Sequence, residues 1–224
     1  MKTKLITALL VLAAALSLCS CAEACYSQGE QQLSAFSSLQ LECAAAGVRI
    51  EYGSGYAIKW QVQGELSVQT EGDTLIVKQR RPAARYEDGD WSIVVTLPQN
   101  AALDSLSLSS AAGEIAVNDI CAQRLDIVCA AGSVNLCGMT VDEAAISISA
   151  GELFYSGSLG NAELSVAAGD AELQLVGDPA ACYIDANVAV GHLWTDERTA
   201  YSAEDAQYVI TADVAAGDFK LMFP

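Results

Sequence analysis

One short phrase recurs down the second half of the chain: a small residue, a glycine, a mostly polar residue, then alternating apolar positions. It reads Ala112-Gly113-Glu114, Ala131-Gly132-Ser133, Ala150-Gly151-Glu152, Ala168-Gly169-Asp170, Val190-Gly191-His192 and Ala216-Gly217-Asp218. Successive glycines stand 19, 19, 18, 22 and 26 residues apart. A period near 20 residues marks a repeat architecture. Each unit is too small to bury its apolar face alone and must stack on its neighbours.

The alternation around each glycine gives the local structure. Counting back by one, three, five and seven residues from Gly132 gives Ala131, Cys129, Ile127 and Leu125, and from Gly169 it gives Ala168, Val166, Leu164 and Ala162. Counting forward by two and four gives Val134 and Leu136, or Ala171 and Leu173. Period-two alternation is the mark of a strand with one buried face. Each repeat therefore carries two strands hinged at Gly113, Gly132, Gly151, Gly169, Gly191 or Gly217. Glycine suits a hinge because it accepts positive φ. The Ala before it suggests a tight inside corner. The expected fold is all-β, a single-stranded β-helix or solenoid with turns of about 18–22 residues.

The start of the chain reads as an address. Lys2 and Lys4 precede an apolar run from Leu5 to Leu18, too short for a comfortable membrane span. It closes on Leu18-Cys19-Ser20-Cys21, which resembles the bacterial lipobox. The resemblance implies cleavage after Ser20, lipidation of Cys21 and a membrane held through a lipid anchor. Residues 1–20 are then a signal peptide, 21–32 a flexible tether, and 33–224 one β domain. Within it, 33–98 are N-terminal strands that cap the regular repeats of 99–224.

Removing residues 1–20 takes away two lysines and no acid, leaving 9 basic against 28 acidic residues, a net −19. Such a surface repels nucleic acid, whose phosphates require Lys and Arg clusters. It also repels anionic lipid, so membrane attachment falls to the anchor.

Residues 33–98 alternate as well: Leu39, Leu41 and Cys43, then Val48 and Ile50 with a shifted phase that predicts a bulge near Gly47. Ile58, Trp60 and Val62 follow, then Leu75 and Val77, then Ile93, Val95 and Leu97. Gln79 to Asp90 is polar and reads as an exposed loop. Thr195 to Ala206 is a polar insertion that accounts for the 26-residue step.

The succession Leu75-x-Val77, Ile93-x-Val95-Thr96-Leu97-Pro98 and the tandem glycine repeats resembles the bacterial DUF4097 family over residues 36–223. It is also similar to the head-domain autotransporter-adhesin-like family. The resemblance implies a right-handed β-helix on the cell envelope, adhesin-like or tied to an envelope-stress response, with no catalytic residue to carry over.

Chemical motifs are sparse. The single histidine, His192, takes a post-glycine position and reads as a surface ladder residue. Neither a dinucleotide fingerprint nor a P-loop occurs, so no cofactor is expected. The remaining candidates are the post-glycine carboxylates Glu114, Glu152, Asp170 and Asp218, interrupted by Ser133. Stacked about 4.8 Å apart they form a solvated ladder or a weak cation site. Tyr52, Tyr56, Trp60, Tyr86 and Trp91 gather in the first third, and Trp194, Tyr201, Tyr208 and Phe223 near the end, as end caps or as a platform for a glycan or an envelope protein. Cys121 and Cys137 fall at the ends of strands in adjacent repeats, which suggests a disulfide. Phe219, Leu221 and Phe223 are bulky enough to plug the last repeat. A non-catalytic surface module is the reading these features favour; the alternative is a polysaccharide-active enzyme, which needs paired carboxylates in a groove.

Overall fold

The computed structural model describes residues 26–80 and 89–224. Their strands are β1 (Tyr26–Gln32), β2 (Ser38–Cys43), β3 (Gly47–Gly53), β4 (Ala57–Gln63), β5 (Glu65–Glu71), β6 (Thr74–Arg80), β7 (Ser92–Pro98), β8 (Ala102–Ser110), β9 (Gly113–Asn118), β10 (Cys121–Val166), β11 (Ala171–Leu175), β12 (Cys182–Val190), β13 (Leu193–Trp194), β14 (Tyr208–Ala216) and β15 (Phe219–Met222). All belong to one sheet wrapped around a single apolar core. The fold is all-β, and the only helical segment among the described residues is a 3-10 turn at Pro179–Ala181.

Successive repeats lie side by side and parallel. Leu125 pairs with Leu106 and Ile127 with Leu108 on one side of the hinge. Val134 pairs with Ile115 and Leu136 with Val117 on the other. The 19-residue step read from the sequence is thus the register of the ladder. Like residues stack on like, and Leu106, Leu125, Val134, Leu136 and Tyr155 are fully buried. The Tyr155 hydroxyl reaches the edge of the core and donates to the Ser158 carbonyl at 2.7 Å.

Gly132 explains why the hinge takes no other residue. Its φ is +137°, and a Cβ built there would overlap the carbonyl oxygen of Gly113 one rung below. Gly151, Gly169, Gly217 and Gly191 continue the same ladder of close approaches. The neighbouring alanines do not form an inside corner. Ala131, Ala150, Ala168 and Ala216 are exposed, because the positive φ turns the preceding residue outward.

The repeats do not stack in chain order at either end. β14 lies between β10 and β12, and β15 lies between β11 and β13. The repeat of Gly217 therefore sits inside and the repeat of Gly191 outside. At the other end β2 lies between β8 and β6, and β3 between β9 and β7. The first repeat of the chain is again tucked inside a later one. Phe219, Leu221 and Phe223 are buried as their size requires, but they fill an interior rung and plug no end.

The outer N-terminal strands run the other way. β4 pairs antiparallel with β7, β5 with β6, and β1 with β4. Residues 26–32 of the expected tether are thus strand. Gly29 lies against the Trp60 ring, and Trp60 Nε1 donates to Ser27 Oγ at 2.9 Å. That bond anchors β1 on an aromatic face the chain would otherwise expose. The phase shift at Gly47 is a hinge and no bulge, since β2 and β3 register so that Ala46 takes the place of Gly113.

Gln79 is no loop residue. It is buried in β6, where its Oε1 accepts the N–H groups of Ala44 (3.0 Å) and Ala45 (3.3 Å) and the Cys43 thiol (3.1 Å). Its Nε2 donates to the Gln63 carbonyl at 2.8 Å. The side chain supplies hydrogen bonds that a neighbouring hinge would give elsewhere in the stack.

Cys121 and Cys137 are free thiols. Cys137 registers with Asn118, three residues before Cys121, so the two lie on different stretches of the ladder. Cys43, Cys129 and Cys182 are buried thiols, and burial pushes Cys43 and Cys182 up to about 11.

Candidate functional site

The swapped ends reorder the carboxylate ladder. In space it runs Glu114, Ser133, Glu152, Asp170, Asp218, His192. Its upper rungs serve the backbone. Asp170 Oδ1 accepts the Asp218 N–H at 2.8 Å. Asp218 Oδ1 accepts the His192 N–H at 2.9 Å and contacts His192 Nδ1 at 3.1 Å. Stacked carboxylates repel, and here donors from the next rung offset that repulsion. Among the described residues no three His, Cys, Asp or Glu side chains converge as metal ligands would.

The aromatics separate by environment. Tyr52, Tyr56, Trp60 and Trp91 are half-buried and pack against the core. Tyr26 stacks on Trp91 with ring centroids 5.3 Å apart. Phe223 is buried. Three aromatics among the described residues are exposed: Tyr26 and Trp194 about half so, and Tyr201 almost wholly, the last two on the outer C-terminal rung. Tyr86 and Cys21 lie outside the described residues.

Trp194 borders a shallow groove of about 530 Å³, shared with Thr195, Asp196, Lys220, Leu221 and Met222. Short β13 places Trp194 beside Lys220 of β15, so the groove is another product of the swapped repeats. His192 stacks on Trp194 with ring centroids 5.1 Å apart. Lys220 Nζ is held by Glu172 Oε1 at 3.3 Å. Hydrogen bonds from Gln174 first, and then from Lys220, lower the Glu172 carboxyl below the ordinary range.

Among the described residues Asp196 is the one carboxylate lining this groove, and it is tied down. It accepts Arg198 Nε at 2.9 Å and the Arg198 N–H at 3.0 Å, while Arg198 also donates to the Phe223 carbonyl at 2.6 Å. These bonds hold the Asp196 carboxyl far below its usual range. It stays ionised and has no proton to give as a general acid. The groove thus offers an aromatic face, a fixed cation and a fixed anion. The sequence shows Trp194 and the 195–206 insertion, but not that Lys220 joins them.

A second shallow groove, of about 400 Å³, crosses the outer face of β10 and β14 among Arg124, Asp126, Glu143, Asn161, Glu163 and Thr211. Arg124 pairs with Glu143 at 3.8 Å, and Asn161 Oδ1 accepts the Val209 N–H at 3.0 Å. Its polar groups mostly join neighbouring rungs.

The chain belongs to the DUF4097 family: the Toastrack DUF4097 model matches residues 36–223. No curated protein matches it. Among solved structures it is similar to a "putative cell adhesion protein" from Clostridium sporogenes, with 12% identity, 88% of this chain and 99% of that chain covered, and a TM-score of 0.47. It is similar to a "putative adhesin" from Bacteroides fragilis at 8% identity, covering 89% and 98%, with a TM-score of 0.43. A "putative lipid binding protein" from Parabacteroides distasonis matches at 12% identity, covering 88% and 96%, also at 0.43.

Proposed function

We propose that the chain is an exported, lipid-anchored binding module of the bacterial envelope, wound as a right-handed β-solenoid, without catalytic activity. The observation that carries this reading is the half-exposed Trp194 at a groove with Lys220 and Asp196. An aromatic face beside fixed polar groups suits a sugar ring, which stacks its C–H face and hydrogen-bonds its hydroxyls. A glycan is therefore the partner class.

The anchor would be Cys21, reached through the Leu18-Cys19-Ser20-Cys21 segment. Tyr26 begins β1 at one end of the sheet, and Trp194 stands at the other. The groove would then face away from the membrane. Among the described residues no helix is long and apolar enough to cross a membrane. The polysaccharide-cleaving alternative needs a second carboxylate facing Asp196, and none lines the groove among the described residues.

Two measurements test the reading. Cys21→Ala should move the protein from the membrane fraction to the soluble one. On a glycan array the protein should bind without turnover, and Trp194→Ala should cost about 2 kcal/mol, roughly a 30-fold loss. Binding unchanged in Trp194→Ala would remove the groove from consideration.

A further inference from the structure

The outward row that ends at Trp194 runs on from the groove across three more strands. Trp194 of β13 registers with Lys220 of β15, Lys220 with Glu172 of β11, and Glu172 with Phe154 of β10. Leu153 and Tyr155 are buried on either side of Phe154, so the alternation turns the Phe154 ring out of the core. That ring is only half-buried. Neighbouring rungs stand about 4.8 Å apart, which puts Phe154 and Trp194 about 14.4 Å apart along the row.

The two residues between the aromatics form a pair. Lys220 Nζ lies 3.3 Å from Glu172 Oε1, so their charges cancel. Gln174 Nε2 donates to the same Glu172 oxygen at 2.9 Å. The other Glu172 oxygen and the further N–H groups of Lys220 keep capacity for hydroxyls. Two residues before Phe154, Glu172 and Lys220 stand Glu152, Asp170 and Asp218. Their carboxylates line the same face of the sheet and repel an anionic ligand.

We infer that the Trp194 groove is one end of a four-rung site that takes a neutral, extended, β-linked glycan chain laid across the strands, with its end rings on Trp194 and Phe154. The inference rests on the glycan reading above and adds to it a length, a charge and a second aromatic contact. A sugar ring in an extended chain advances by about one rung, so four linked rings span the row. The outer two turn a C–H face to Trp194 and Phe154. The inner two offer hydroxyls to Lys220 and Glu172. A coiled or highly branched glycan cannot reach both aromatics at once.

Calorimetry on the full chain in mild detergent tests the site. The probes are β-1,4-linked oligomers of glucose and of N-acetylglucosamine, two to six units long. Affinity should rise about tenfold from two units to four and then level off, because the fourth ring adds the stack on Phe154. Phe154→Ala should remove that gain and leave the affinity for two units unchanged, which also shows that the variant is folded. The length dependence of the unaltered protein decides the matter even if Phe154→Ala fails to fold. Equal affinity for two and four units would overturn the inference. So would a Phe154→Ala loss that is the same at both lengths, or a tetramer of uronic acid that binds more tightly than the neutral ones. If none of these neutral oligomers binds, the four-rung site falls, while Trp194-dependent binding of another glycan on the array would leave the groove itself standing.

Discussion

Asp170 accepts the backbone N–H of Asp218 at 2.8 Å across 48 residues of chain, although the repeat that follows Asp170 in sequence carries His192. That bond marks the swapped order of the last two repeats. The two repeats are near-copies: Ile184, Ala186 and Val188 register with Ile210, Ala212 and Val214. Their alternation suits either rung. What separates them is the stretch after the glycine. One continues with Phe219, Leu221 and Phe223, the other with Leu193 and Trp194 and then a polar insertion. The interior rung buries whatever it holds, so the bulkier apolar set goes inside.

Burial cost should follow this assignment. Phe219→Ala removes a fully buried ring and should cost about 3–5 kcal/mol. Leu193→Ala, at a side chain 44% exposed, should cost less than about 1 kcal/mol. Urea unfolding of both variants checks the ratio. Equal losses would contradict the order of the two repeats.

The hinge prediction rests on close approach. Gly132→Val places a β-branched side chain at φ +137° against the Gly113 carbonyl and should prevent the repeats from stacking. Gly72→Ala, at φ +60° in a turn with open space around it, should cost only about 1 kcal/mol. Thermal midpoints of the two variants measure the contrast.

The repeat, its register and its inward residues were legible because alternation and glycine spacing are local properties. Val134 and Leu136 face the core where the alternation puts them. The order of repeats was not legible, since β12 and β14 carry the same alternation and only their packing context separates them. Gln79 was missed for a related reason. A polar residue beside a polar loop reads as exposed, and nothing in the local sequence shows that Ala44 and Ala45 lack backbone partners. The Trp194 groove is half legible: its aromatic follows a repeat glycine, while Lys220 reaches it only through the swap.

Gln79 gives a prediction of its own. Gln79→Leu fills the space but leaves the Ala44 and Ala45 N–H groups without their acceptor, at a cost of about 1–3 kcal/mol. Gln79→Glu keeps an acceptor and loses the bond to the Gln63 carbonyl. At neutral pH it should be at least as destabilised as Gln79→Leu in urea unfolding, because a buried carboxylate oxygen then faces the Gln63 carbonyl oxygen. Gln79→Leu as stable as wild type would mean that water replaces the amide.

Asp196 makes part of the stability depend on pH. Its folded pKa lies below the unfolded value of about 3.9, so its contribution is fully present above that value. It is lost as pH falls from there toward the folded pKa. The gap in thermal midpoint between wild type and Asp196→Asn should be constant from neutral pH down to about 5 and should shrink below about 4. Arg198→Ala should weaken that pH dependence without abolishing it, because it removes the guanidinium donors and keeps the Arg198 and Phe223 N–H groups. A gap that widens with acid would reverse the sign and refute the assignment.

Truncation after residue 206 removes the interior rung and leaves the outer one. β12 then loses β14, its partner among the described strands, and the buried row of β10 from Ala162 to Val166 is uncovered. Ile184, Ala186 and Val188 match that row in the register β14 had used, because Ile210 pairs with both Ala162 and Ile184. The segment between β11 and β12 spans two rungs in the full chain, so a one-rung step is within its reach. β12 should therefore move in by one rung and stack directly on β10 in chain order. A cysteine pair reports the move. Val166 and Val188 both register with Val214, from opposite sides. In the full chain they stand two rungs apart, about 9.6 Å, beyond the roughly 7 Å that a disulfide spans. In the truncated chain they would be neighbours at about 4.8 Å. Val166→Cys with Val188→Cys should oxidise to a disulfide in the truncated protein and stay reduced in the full one. A soluble truncated chain whose engineered cysteines stay reduced would show that β12 cannot take the vacated place. Oxidation in both chains would show that the swapped order does not persist in solution.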